Sequence, residues 1–145
     1  MKKLQYLPPI LLVSIILISA CGGGEDKETT EEVFMKQITG AWELRNADFD
    51  GKDVSASFPG MTLTINKNKT MSVQNATPPM WKASSSFTLL ESGNDFILNR
   101  NDGLIITVSQ VSETKLVLTF LYDADAMGGR TSSVTGRFTF EFDAK

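Results

Sequence analysis

The residues that could do chemistry are few. Cys21 is the only thiol, and the chain contains no histidine. Without an imidazole there is no Ser-His-Asp arrangement, no usual general base and no common zinc ligand. Ser84-Ser85-Ser86 and Ser132-Ser133 therefore have nothing to activate them as nucleophiles. Carboxylates gather twice, as Asp123 and Asp125 beside Tyr122 and as Asp48, Asp50 and Asp53 around Gly51. The second group has part of a calcium-loop spacing but lacks its terminal glutamate. Both read better as polar residues that shape turns. No catalytic residue, metal or cofactor is expected. The lone cysteine is the exception, because an exported chain with one unpaired thiol needs a reason for it.

The residues around Cys21 supply that reason. Lys2 and Lys3 open the chain, Ile10 to Ile18 is apolar except for Ser14, and Ile18-Ser19-Ala20 places small residues directly before the cysteine. This charged, apolar, small-residue order is that of a secretory signal. The apolar run is well short of the ~20 residues that a membrane span needs, and Pro8-Pro9 interrupts its start. The segment resembles the bacterial lipobox, which implies cleavage after Ala20, acylation of Cys21 and attachment to a membrane through that residue. Residues 1–20 are then a signal peptide, and 125 residues remain. Loss of Lys2 and Lys3 takes the formal charge from −3 to −5, a balance that disfavours nucleic acid.

Residues 21–32 read as a tether: Gly22-Gly23-Gly24 is flexible, and Glu25 to Glu32 contains nothing apolar. Its twelve residues reach ~40 Å when fully extended. Glu25-Asp26 resembles the acidic signals that direct lipoproteins of the Bacteroidota to the cell surface; a solvated linker explains the same residues. The expected place is the bacterial cell envelope, at the outer membrane.

From residue 33 to 145 one domain is expected, and its period is two. Large apolar residues alternate with threonine and charge in Met61-Thr62-Leu63-Thr64-Ile65, in Leu116 to Tyr122 and in Arg137 to Phe142. Eight strands are predicted, near 39–47, 60–66, 70–75, 84–91, 95–99, 104–111, 114–123 and 134–143. Thr29 and Glu32, at capping-box spacing ahead of Val33-Phe34-Met35, predict a short N-terminal helix. Links at residues 67–69, 92–94 and 112–113 are tight hairpins. The alternate links, near 47–59, 76–83, 101–103 and 124–133, are longer. In an up-and-down meander the two kinds lie at opposite ends. Eight antiparallel strands lose their open edges by closing into a barrel, which is the predicted fold; two packed sheets would give the same periodicity.

Ile38-Thr39-Gly40-Ala41-Trp42-Glu43-Leu44 resembles the Gly-X-Trp opening of lipocalins, and more closely the start of lipocalin-like lipoproteins of the Bacteroidota. The resemblance implies that Gly40 turns the chain into the first strand and that Trp42 plugs the narrow end of the barrel. It also implies a basic residue over the tryptophan ring, for which Arg137 is the candidate, although Arg137 points outward if Phe138, Phe140 and Phe142 point inward. The C-terminal helix of lipocalins is not expected.

Two functions follow. Phe49, Phe58, Met80, Trp81 and Met127 are apolar residues of otherwise polar long links, and they suggest a mouth that binds a small hydrophobic ligand. The inward residues are also large enough to pack the interior solid, which suggests a surface interaction module with a filled core. A monomer tethered through Cys21 is expected in either case.

Overall fold

The computed structural model describes residues 28–93, 95–123 and 135–145. The expectations at Cys21 and Met127 lie outside the described residues. A helix, α1 (Thr30–Ile38), precedes nine strands: β1 (Gly40–Phe49), β2 (Lys52–Asp53), β3 (Thr62–Ile65), β4 (Thr70–Gln74), β5 (Ser84–Ser92), β6 (Asp95–Arg100), β7 (Ile105–Val111), β8 (Lys115–Asp123) and β9 (Thr135–Ala144). All pairings are antiparallel. The sheet order is β2-β1-β3-β4-β5-β6-β7-β8-β9, and β1 also pairs with β9. That last ladder, from Trp42↔Ala144 to Phe49↔Phe138, closes an eight-stranded barrel. The short β2 is an extra strand that folds back on the end of β1 through Asp48↔Asp53.

Alternation places the core inside. In β9, Gly136, Phe138, Phe140 and Phe142 are buried while Arg137 is exposed. The strand opposite shows a break in phase. Between Leu44 and Asn46 the register of β1 against β9 shifts, so Arg45 is an extra residue in the manner of a β-bulge. The inward set of β1 therefore changes from Trp42 and Leu44 to Ala47 and Phe49, and Phe49 becomes the last residue of the strand instead of a residue of the following link.

The connections sort by length as the meander requires. Turns at residues 66–69 and 112–114 and the β5–β6 junction share one end with α1; the links at 50–61, 75–83 and 101–104, the end of β8 at Asp123 and the start of β9 at Thr135 share the other. Helix α1 starts at a capping box in which the Thr29 hydroxyl accepts from the Glu32 N–H and the Glu32 carboxylate accepts from the Thr29 N–H. Those bonds hold the Glu32 carboxyl below its ordinary pKa. The helix then lies across the short-loop end. Phe34 stacks on Phe96 at 4.1 Å, and Ile38 is fully buried. Trp42 Nε1 donates to the Ile38 carbonyl at 2.9 Å, tying the helix C-terminus to the first turn of β1. Gly40 makes the bend between them at φ +156°.

Candidate functional site

The long-loop end is where residue types and geometry meet. Phe58, Met80 and Trp81 all come from connecting segments, yet all three are buried, and Trp81 is 0% exposed. The link at 75–83 turns inward for local reasons. Asn75 takes a positive φ of 56° and its side-chain amide donates to the Gly60 carbonyl, while the Trp81 N–H donates to the Thr77 carbonyl. These bonds aim the indole down the barrel. There it meets Phe120 and Phe140 edge-on, with centroids 5.6 and 5.2 Å away. Phe58 meets Phe140 edge-on at 5.0 Å. Phe140 sits across from the small Ala47, and the stack of rings continues from it to Phe120 and Phe138 toward the long loops and to Phe142 toward the other end. Phe49 packs on Phe138 at 4.6 Å. Four of the five residues expected at an open mouth, Phe49, Phe58, Met80 and Trp81, thus belong to the packed interior.

A buried ion pair fixes this arrangement. Arg100 ends β6 at an inward position opposite Phe87, and its side chain is fully buried. Its Nε and Nη2 each donate to Asp102 at 2.8 Å, and its Nη1 donates to the Met80 carbonyl at 2.8 Å. The guanidinium carbon lies 6.0 Å from the Trp81 ring centroid, at the edge of cation–π range. Asp102 also pairs with Lys82 at 3.0 Å. The hydrogen bonds from Arg100, helped by Lys82 and the Leu104 N–H and opposed by burial, hold the Asp102 carboxyl well below the usual carboxylate range. One arginine therefore bolts the loop that carries Trp81 to the barrel wall. Neither Arg100 nor Asp102 was expected here. The signal in the sequence is the alternation Phe96, Leu98, Arg100, which puts a charge in the inward phase.

Arg137 requires a correction. Trp42 pairs with Ala144, whereas Arg137 lies seven residues earlier on β9, beside Leu121 and bonded through its N–H to Asp50 Oδ1. At ~3.3 Å per residue this places it near the opposite end of the barrel from Trp42, with its side chain outside. The Trp42 ring is held by its bond to Ile38 and carries no contact from Arg137. The important residue of Gly136-Arg137-Phe138 is the glycine. A Cβ at Gly136 would fall 2.2 Å from the Phe49 ring and 2.5 Å from the Asp50 carboxylate.

The carboxylates around Gly51 serve their turn. Asp48 Oδ1 accepts from the Gly51 N–H, Asp50 Oδ1 from the Arg137 N–H, and Asp53 Oδ1 from the Ser55 N–H and hydroxyl. The Ser55 bonds lower the Asp53 pKa. Among the described residues no group of three or more carboxylate, thiol or imidazole side chains converges as a metal site.

A groove of about 730 Å³ runs along the outer flank of β7 and β8, lined in part by Ile105, Thr107, Thr119, Leu121 and Arg137. No protein-family model, no curated protein and no solved structure gives a significant match to this chain. Its likeness to lipocalins is one of general barrel shape.

Proposed function

We propose that this chain is a lipid-anchored lipoprotein of the bacterial envelope, without catalytic activity, whose filled barrel acts as a surface interaction module. The observation that carries this reading is the burial of Trp81 against Phe120 and Phe140, because it occupies the space a ligand would need. The short-loop end, sealed by α1, is where the chain arrives from the tether, so the anchor orients the barrel with its long loops away from the membrane. Two measurements test the two parts. Cys21→Ser should release the protein from the membrane fraction; retention there would refute the anchor. Titration of the mature chain with fatty acids, haem-like rings and apolar dyes should give no saturable binding, and a stoichiometric complex would refute the filled module.

A carrier of small hydrophobic ligands is the second reading, and one observation favours it. Trp81 Nε1 is buried, and among the described residues it has no hydrogen-bond acceptor. In a carrier, Trp81 would swing out with its loop and a ligand oxygen would take that N–H. Ligand-dependent quenching of Trp81 fluorescence in a Trp42→Phe background would identify this behaviour.

A further inference from the structure

The link from β4 to β5 hangs on the barrel as a flap. The Val73 N–H donates to the Ala83 carbonyl, and beyond that bond no residue from Asn75 to Lys82 enters a ladder. The wall does not need the flap, because β4 and β5 pair below it through Thr70↔Ser86, Met71↔Ser85 and Ser72↔Ser84. Among the described residues, three polar ties hold it in from outside. Asn75 donates to the Gly60 carbonyl, Arg100 Nη1 donates to the Met80 carbonyl, and Lys82 pairs with Asp102. The second and third run through one ion pair, Arg100–Asp102. Against these ties stands the Trp81 indole, whose N–H is buried without an acceptor. The closed flap therefore bears the desolvation of that donor with no bond to offset it.

We propose that the flap is a releasable plug and that the Arg100–Asp102 pair is its latch, so that the barrel has a second, hollow state in which the Trp81 space is open. The filled barrel is then the latched state of the molecule, and the inference goes beyond that reading by adding the unlatched one. A buried ion pair is a poor source of stability, since well-packed apolar groups in its place are often as stable. Its best-attested use is to select one arrangement over another. The arrangement selected here is local. Release of Met80 and Trp81 frees no strand, and Phe120 and Phe140 keep their places on β8 and β9, whose ladder runs from Lys115↔Asp143 to Asp123↔Thr135. The flap leaves behind a space of indole shape, walled by those two rings, which suits a flat bicyclic hydrocarbon. Such an occupant binds wild type weakly, because its affinity falls with the small fraction of chains that are unlatched. It binds an unlatched variant well.

The test compares wild type with the double variant Arg100→Met, Asp102→Asn, which removes both charges together so that neither is left buried and unpaired. In the variant the β8–β9 amides should stay protected, while the Trp81 Nε1–H should exchange at least tenfold faster than in wild type. Naphthalene should bind the variant one-to-one and at least tenfold tighter, read by calorimetry. Ile65→Val trims the core at the other end of the barrel, where Ile65 is buried, and should change neither readout. A double variant that keeps the wild-type Trp81 exchange rate, or that frees Trp81 and takes up no naphthalene, would overturn the proposal. So would an Ile65→Val protein that matches the double variant. Should the double variant not fold, exchange in wild type decides. The Trp81 Nε1–H should then exchange with at least tenfold less protection than the Phe140 amide, and equal protection means that there is no separate unlatched state. The titration of wild type with fatty acids and dyes tests the filled barrel by itself. A stoichiometric complex there refutes the filled reading, whereas equal protection of Trp81 and Phe140 removes only the latch.

Discussion

Arg100 is a charge placed where the strand pattern calls for an apolar side chain, and its environment supplies the compensation that such a position demands. A buried guanidinium is tolerated only with its donors paired; here two go to Asp102 and one to the Met80 carbonyl. Removing the negative partner should therefore cost far more than losing a surface ion pair. Asp102→Asn is expected to destabilise the fold by about 3 kcal/mol at pH 7. The pH dependence follows from the sign of the shift. The folded-state carboxyl titrates below its unfolded value of about 4, so its contribution is fully present above that value. It is lost progressively as the pH falls toward the folded pKa. Chemical denaturation at pH 7 and pH 3 should show the gap between wild type and variant narrowing in acid; a constant gap would refute the assignment. Gly136 gives a second prediction of this kind. Gly136→Ala presses a methyl into the Phe49 ring and should cost about 1–3 kcal/mol by overpacking, read as a lower denaturation midpoint.

The elements were largely legible in the sequence, and where they were not the reason is physical. Period-two alternation in the eight long strands comes from the inside–outside division of a barrel wall, a local property that sequence records directly. The bulge at Arg45 is different. One inserted residue shifts the phase, and Asn46-Ala47-Asp48-Phe49 reads as plain alternation whichever strand position comes before it, so Phe49 looked like a loop residue. Phe58, Met80 and Trp81 stand out in the sequence as apolar residues of polar links. Whether such residues await a ligand or fill the core depends on Phe120 and Phe140, far away along the chain, and no local pattern carries that information. Arg137 was misplaced because its proposed partner came from a resemblance in one short motif, whereas the β1–β9 register decides which residues meet. Helix α1 was visible through its capping box, but the bond that docks it was not. Trp42→Phe removes the donor to Ile38 and leaves that carbonyl without the indole; a cost of about 1 kcal/mol is expected, with faster amide exchange confined to residues 33–39. Uniformly faster exchange across the barrel would show that Trp42 acts as general core packing instead.

For the molecule as a whole, the filled-barrel reading sets what a mutation can create. Phe140 is 0% exposed and touches rings from the loops, from β8 and from β9. Phe140→Ala should cost about 3–5 kcal/mol and leave an apolar void of the kind that stays dry and admits benzene or xenon. Wild type should take up neither. Calorimetry or xenon-sensitive chemical shifts on the two proteins would check both halves, and equal uptake would mean that the native barrel is already hollow.

The seal at the short-loop end also sets how the molecule responds to force. On the anchored reading a pull from the membrane side meets α1 before any strand, and α1 is held by the burial of Phe34, Met35 and Ile38, the Phe34–Phe96 stack, the Trp42–Ile38 bond and the Lys69–Glu31 ion pair. The β1–β9 ladder behind it is loaded along its strands, a direction in which many bonds share the stress. On that reading the helix should yield before the ladder does. Once peeled away and unwound, its nine residues would lengthen from about 14 Å to about 30 Å while the barrel stays closed.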